Sequence, residues 1–256
     1  MNIEVRPDNN TQDRGPLRFG MLGCGMMGQE HLRNLALLTT SRAMVVAIYE
    51  PDEQQAAISL ALTDPVAELV GSVEALVAHP AVDAIVIASP NHRHCEQLQM
   101  VRHKAVLVEK PVCTNLEDVH VLRRLPPSAS IVWTAMEYRF MPAIASFVSL
   151  AQDEAATGEI VSVSIREHRF PFLCKVGNWN RFARNTGGTL VEKCCHFFDL
   201  MRLIMRDEPT RVYASGGQSH NHLDERYDGE TPDIGQCLSN LCAPPSRSRP
   251  PPPIAH

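Results

Sequence analysis

No stretch of this chain is apolar over a membrane-crossing length, and the opening residues MNIEVRPDNN are polar, without the apolar core of a signal peptide. Both absences lead to the expectation of a cytoplasmic protein. A basic surplus is missing too: 24 Lys and Arg stand against 29 Asp and Glu, a formal net charge of −5 with the signs interspersed. That balance suits neither a nucleic-acid surface nor a polybasic membrane anchor. Eight cysteines occur (24, 95, 113, 174, 194, 195, 237 and 242), but no C-x-x-C pair and no zinc-type spacing, so reduced thiols and no metal are expected. Cys194, Cys195 and His196 are adjacent, yet consecutive helical side chains splay by about 100° and do not converge on one ion.

What is present is a chain of 256 residues, 44% hydrophobic, long enough for one large domain or two smaller ones. Its organising stretch is Leu17 to Gly28, LRFGMLGCGMMG, an apolar run ending in G-x-G-x-x-G. This pattern predicts a strand, a tight turn and a helix start. Gly23 permits the turn, Gly25 lets a pyrophosphate approach the backbone, and Gly28 lets helix and strand pack closely. The N–H groups at the helix start, around Met26 and Met27, offer a favourable dipole end to phosphate. Leu32, Leu35 and Leu38 follow at helical spacing, and the β-branched run MVVAIYE (Met44 to Glu50) completes a βαβ unit. Glu50, about twenty residues after the glycines, is placed to accept hydrogen bonds from ribose hydroxyls, with Asp52 as the competing candidate. No Lys or Arg directly follows Glu50, and a carboxylate there repels a 2′-phosphate, so NAD is expected over NADP.

The alternation continues. Helices are predicted at Asp52 to Leu62, Ser72 to His79, Glu96 to His103 and Asn115 to Leu125, and strands at Ala81 to Ala88, Ala105 to Glu109 and Ser130 to Ala135. Strands apolar on both faces suit a parallel sheet covered by helices. The second half reads differently: a helix from Pro142 to about Asp153, a half-exposed strand at Ile160 to Ile165, a long loop, an amphipathic helix from about Thr189 to Met205, and a strand in TRVYASGG. The expected class is α/β, an N-terminal Rossmann doubly wound parallel sheet with an incomplete C-terminal α+β open-sheet domain. The segments expected are a polar arm at 1–16, the dinucleotide domain at 17–138, a partial sheet domain at 139–235 and a Pro/Ser-rich disordered tail at 236–256.

The ordered occurrence of GCGMMG, ASPNHRHCE (Ala88 to Glu96), EKP (Glu109 to Pro111), EYRFMPA and GGTLVEKCCHFFDL resembles the Gfo/Idh/MocA family, named for glucose-fructose oxidoreductase and inositol dehydrogenase. The resemblance covers about residues 17 to 217, and the loss of pattern after Gly217 leads to the expectation of a C-terminally truncated sheet. It implies a catalytic set of Lys110, Glu192 and His196, with Lys110 near nicotinamide and a substrate hydroxyl. Glu192 stands where the family more usually carries Asp. At i and i+4 on one helix the carboxylate would lie beside the imidazole, orient it and favour its protonated form, with Asp199 bordering the same face. The resemblance also sets Ser89, Asn91, His94, Glu109 and Lys110 at the cofactor. Tyr138, Trp179, Arg181 and Asp199 are substrate-side candidates. An aromatic face and guanidinium groups in the long loop (Trp179, Arg181, Arg184) suit a polyhydroxylated ligand, while Trp179 serves equally as the closing side chain of a small core.

The resulting expectation is a NAD-dependent oxidoreductase of a sugar, cyclitol or polyol, with a homo-oligomer left open because interface strands are not apparent. The alternative is a nucleotide-binding chain without turnover. A short-chain or hydroxyacid dehydrogenase fits poorly, since no Tyr-x-x-x-Lys pair is present.

Overall fold

The computed structural model describes residues 15–38, 42–167, 171–218, 221–234 and 236–242. The polar arm up to residue 14 and the tail from residue 243 onward lie outside the described residues. The chain divides into two compact units: the first takes in Met1–Ser89, Glu96–Leu107 and Pro127–Trp133, the second Pro90–Cys95, Val108–Pro126 and Thr134–His256.

The first half alternates strand and helix. β1 (Leu17–Leu22) runs into α1 (Met26–Ala36), and β2 (Ala43–Tyr49) into α2 (Glu53–Leu60). β3 (Glu68–Leu69), α3 (Val73–Ala78), β4 (Ala84–Ile87), α4 (His94–Val101), β5 (Ala105–Val108), α5 (Leu116–Arg124) and β6 (Val132–Thr134) follow. Short polar residues start three of these helices by accepting a backbone N–H. Asp52 accepts from Gln55, Ser72 from Ala75 and Asn115 from Asp118.

The sheet order is β3-β2-β1-β4-β5-β6, with β1 parallel to β2 and β4, and β2 parallel to β3. Strand order reverses between β1 and β4, and the crevice beyond the carboxyl ends of such strands is where open α/β sheets take ligands. A core of Met21, Cys24, Leu32, Val45, Ile48, Ala67 and Val86 fills one side of the sheet. Each large side chain fully buried there contributes about 1.5–3 kcal/mol.

In the second unit α6 (Pro142–Ala151) begins with Pro at its first turn, where a missing N–H costs nothing. α7 (Glu154–Thr157), α8 (Ala183–Thr186), α9 (Gly188–Glu192) and α10 (Cys195–Met205) follow, then the antiparallel ribbon of β7 (Arg211–Gly217) and β8 (Gln236–Cys242). Val148, Ala151, Leu200 and Ile204 form a core between α6 and α10.

Three expectations change here. The strand predicted at Ile160 to Ile165 is not formed. Ile160, Val163 and Ile165 do face inward together, but they pack on the α6–α10 core, and no adjacent strand among the described residues supplies a ladder. The segment at 236–242, expected as disordered tail, is β8, because β7 offers a complete row of backbone partners from Arg211 to Gly217. The single helix predicted from Thr189 to Met205 is broken into α9 and α10. Lys193 has φ −114°, and the N–H groups of Lys193 and Cys194 both donate to Thr189 O, an extra-residue turn of the π type.

Candidate functional site

The first unit holds the glycine turn. Gly23 has φ +86°, a region that favours glycine, and its N–H donates to Tyr49 O at 2.9 Å. A methyl group added at Gly23 would stand 2.5 Å from Ser89 Cα, and one at Gly28 would stand 2.3 Å from Gly23 O. These two glycines are required by the protein's own backbone. At Gly25 a methyl group meets nothing within 4 Å. The open side of the turn is therefore the side a ligand would approach. α1 starts at Gly25 with no side-chain cap and no acid in its first turn, so its positive end is uncompensated. Backbone donors with room in front of them fit a dinucleotide pyrophosphate.

Glu50 accepts the N–H of Cys24 at 2.6 Å and that of Asp52 at 3.0 Å, bracing the turn from behind. Asp52 is occupied as the cap of α2. Glu50 thus remains the better acceptor for ribose hydroxyls, since a carboxylate has about four lone-pair sites and two are used here. The Cys24 thiol is pushed up to about 12 by burial and by Glu50, which keeps it protonated and inert. Ser89, beyond β4, donates to Gln97 at 2.5 Å.

The second unit gathers the polar residues expected at the reaction centre. His94 is fully buried, and its Nδ1 stands 2.8 Å from Pro111 O, which makes Nδ1 the protonated nitrogen and pins the EKP turn. In that turn Lys110 Nζ donates to the backbone carbonyl of Glu192 at 3.2 Å, and the buried Glu109 accepts the Lys110 N–H at 3.2 Å.

Glu192 is 4% exposed. One carboxylate oxygen accepts from the Asn91 amide, and the other lies 3.5 Å from Lys175 Nζ. The expected i, i+4 pairing is not formed: Glu192 ends α9, α10 begins only at Cys195, and the Glu192 carboxylate is taken by Asn91 and Lys175. Burial holds Lys175 below the ordinary lysine range, an effect that Glu192 opposes and Lys110 reinforces. The Trp179 ring covers this ammonium, with Nζ 4.5 Å from its centroid.

His196, 2% exposed, places Nε2 3.3 Å from Glu137 Oε1, and its Nδ1 is buried with no partner among the described residues. The Tyr138 ring stacks on the imidazole at 4.2 Å and 7°, and the Tyr138 hydroxyl accepts from Lys193, whose Nζ also pairs with Glu167 at 3.2 Å. Burial, then the positive charges of Lys110 and Lys193, push the imidazole down to about 3. The protonated form expected beside a carboxylate is thereby disfavoured, and His196 is neutral at physiological pH.

Two further candidates take structural roles. Arg181 is 3% exposed, bonding Phe172 O and Cys174 Sγ and pairing with Glu225 at 2.9 Å, so its guanidinium is committed internally. Asp199 is held by Arg139. Sequence reasoning missed Lys175, Glu137 and Lys193. The last two stand inside EYRF and EKCCH, motifs already quoted for other residues, while Lys175 lies in a loop with no periodicity. Among the described residues no group of three or more His, Cys, Asp and Glu is arranged to hold a metal, and no helix is long and apolar enough to cross a membrane.

A 3-2-1-4-5-6 sheet entered through G-x-G-x-x-G defines a Rossmann-type dinucleotide-binding protein. Residues 17–134 match the model of the oxidoreductase family with an NAD-binding Rossmann fold, and residues 154–233 match that of its C-terminal alpha/beta domain. The chain belongs to the Gfo/Idh/MocA family. It is 27% identical over 202 residues to the inositol 2-dehydrogenase of Rhizobium meliloti (strain 1021), covering 78% of this chain and 58% of that protein. Identity to the myo-inositol 2-dehydrogenase of Thermotoga maritima is 25% over 212 residues, again 78% and 58% of the two chains. Among solved structures, levoglucosan dehydrogenase in complex with NADH and levoglucosan shares the fold, with a TM-score of 0.68 at 19% identity over 89% of this chain and 64% of that one. The chain spans about 58% of the length of these curated relatives.

Proposed function

We propose that this chain is a NAD-dependent dehydrogenase that oxidises a secondary alcohol of a cyclitol, sugar or related polyol. The observation that carries the reading is a buried, neutral imidazole in the same unit as a lysine anchored by the backbone of the neighbouring helix: His196 and Lys110. The names of the relatives, two inositol dehydrogenases, supply the substrate class.

Nicotinamide, when bound, supplies the hydride chemistry. The turn formed by Gly23, Gly25 and Gly28 and the start of α1 would hold its pyrophosphate, and Glu50 the ribose. The carboxylate at Glu50 disfavours a 2′-phosphate, which favours NAD over NADP. In the second unit His196 takes the hydroxyl proton, which its neutral state permits. Lys110 uses one N–H on the Glu192 carbonyl and retains two donors for the alcohol oxygen as negative charge develops there. The alternative, nucleotide binding without turnover, finds no support among these relatives.

The test is NAD reduction, followed by nicotinamide absorbance, against a panel of cyclitols and sugars. Turnover is expected with at least one polyol, and His196→Ala is expected to slow it by about 10²- to 10⁴-fold. Full turnover in His196→Ala, or none with any polyol despite tight NAD binding, overturns the reading.

A further inference from the structure

We propose that Glu137, rather than Glu192, is the carboxylate that orients His196, making Glu137 a positioning residue that fixes the Nε2–H tautomer and leaves Nδ1 as the basic nitrogen. The significance for catalysis rests on the alcohol-oxidation reading above; the orientation itself does not.

The argument begins with Glu192. Its two oxygens are engaged by Asn91 and Lys175, and the break at Lys193 and Cys194 separates it from the helix that carries His196. Glu137 opens the short turn Glu137–Phe140 and brings Oε1 to 3.3 Å from His196 Nε2. The next residue, Tyr138, lies flat on the imidazole at 4.2 Å. One turn thus clamps the ring plane and presents an acceptor to its edge, which together set the ring's rotation about its own axis.

The tautomer follows from chemistry. A neutral imidazole carries one N–H, and which nitrogen bears it is set by the partner of the other. Against a carboxylate, Nε2 bears the proton, because two opposed lone pairs repel. Nδ1, buried and without a partner, keeps its lone pair.

The groups facing this pair reinforce the arrangement. Burial first, and then the charges of Lys110, in the EKP turn, and Lys193, between α9 and α10, hold His196 neutral. Burial raises Glu137 above the usual carboxylate range, Glu109 adds to the rise, and Lys110 and Lys193 oppose it. The adjacent Cys195 thiol is pushed up to about 11 and does not titrate near neutrality.

The experiment is 15N NMR of the histidine ring nitrogens in the full chain at neutral pH, with His196→Gln used to assign the His196 signals. The expected result is a protonated Nε2 and an unprotonated Nδ1. That preference is lost in Glu137→Met, retained in Glu137→Gln, whose amide oxygen still accepts, and retained in Glu192→Gln. In polyol oxidation Glu137→Met is expected to lower kcat by about 10²-fold with KM little changed, and Glu137→Gln to restore most of the rate. Protonated Nδ1 in the unaltered protein, an unchanged tautomer in Glu137→Met, or a tautomer that responds to Glu192→Gln instead overturns the proposal. The expected ring signals in a protein that oxidises no polyol uphold the orientation and overturn only the alcohol-oxidation reading.

Discussion

Acidification tests the burial of His196 directly. The unfolded chain protonates this side chain near its ordinary value of 6.5, whereas the folded protein holds it neutral down to about 3. Between those values the unfolded state binds the extra proton, so the stability contributed by neutral His196 is complete above 6.5 and is lost as pH falls toward 3. At pH 4 the gap from 6.5 corresponds to about 3 kcal/mol at most, and roughly 2 kcal/mol after solvent screening around the site is allowed for. Other carboxylates and histidines titrate over the same range, so the informative quantity is the difference between the protein and His196→Gln. Urea unfolding followed by circular dichroism at pH 7, 5.5 and 4 measures that difference. The advantage of the unaltered protein over His196→Gln is expected to shrink by about 2 kcal/mol from pH 7 to pH 4. A difference constant to within about 0.5 kcal/mol would refute the claim that the imidazole is buried neutral.

Three other perturbations separate binding from folding. Gly25→Ala places a methyl group in open space and is expected to leave the thermal midpoint nearly unchanged while weakening NAD by about tenfold or more in calorimetry; Gly28→Ala, 2.3 Å from Gly23 O, is expected to lower the midpoint as well. Glu192→Ala strips the half-buried Lys175 of its counter-charge and is expected to cost about 2 kcal/mol in urea unfolding, part of it recovered in the double variant with Lys175→Met; additive losses would show that the two do not interact. Glu50→Ala removes the acceptor for the Cys24 and Asp52 N–H groups together with the charge that repels a 2′-phosphate, so NAD titrations are expected to weaken while the preference over NADP narrows. An unchanged ratio of the two affinities would remove Glu50 from the specificity argument.

Much of the first unit was readable in sequence because its signals are local. The glycine spacing, the helices expected from Asp52, Ser72 and Asn115, and runs such as AVDAIVIA rest on signals that act within a few residues, and each formed the element expected. The second unit was less legible. The alternation at Ile160 to Ile165 marks the inward face only in part, since Val163 and Ile165 pack on the α6–α10 core with Ile160 while Val161 is exposed, and an apolar face packs on helices as readily as it joins a sheet. The helix of Glu192 and His196 is amphipathic throughout, and nothing in its composition signals the extra-residue turn at Lys193.

By itself, then, the sequence determined the dinucleotide entry, the family and the presence of Lys110, Glu192 and His196, because backbone sterics and short-range hydrogen bonding act on neighbours in the chain. Only the tertiary structure decided which carboxylate meets which base. Asn91 and Lys175, from distant segments, take Glu192, and Glu137 takes His196. Those pairings follow from one helix break and from the desolvation of buried charge, which are properties of packed elements and are carried by no single stretch of residues.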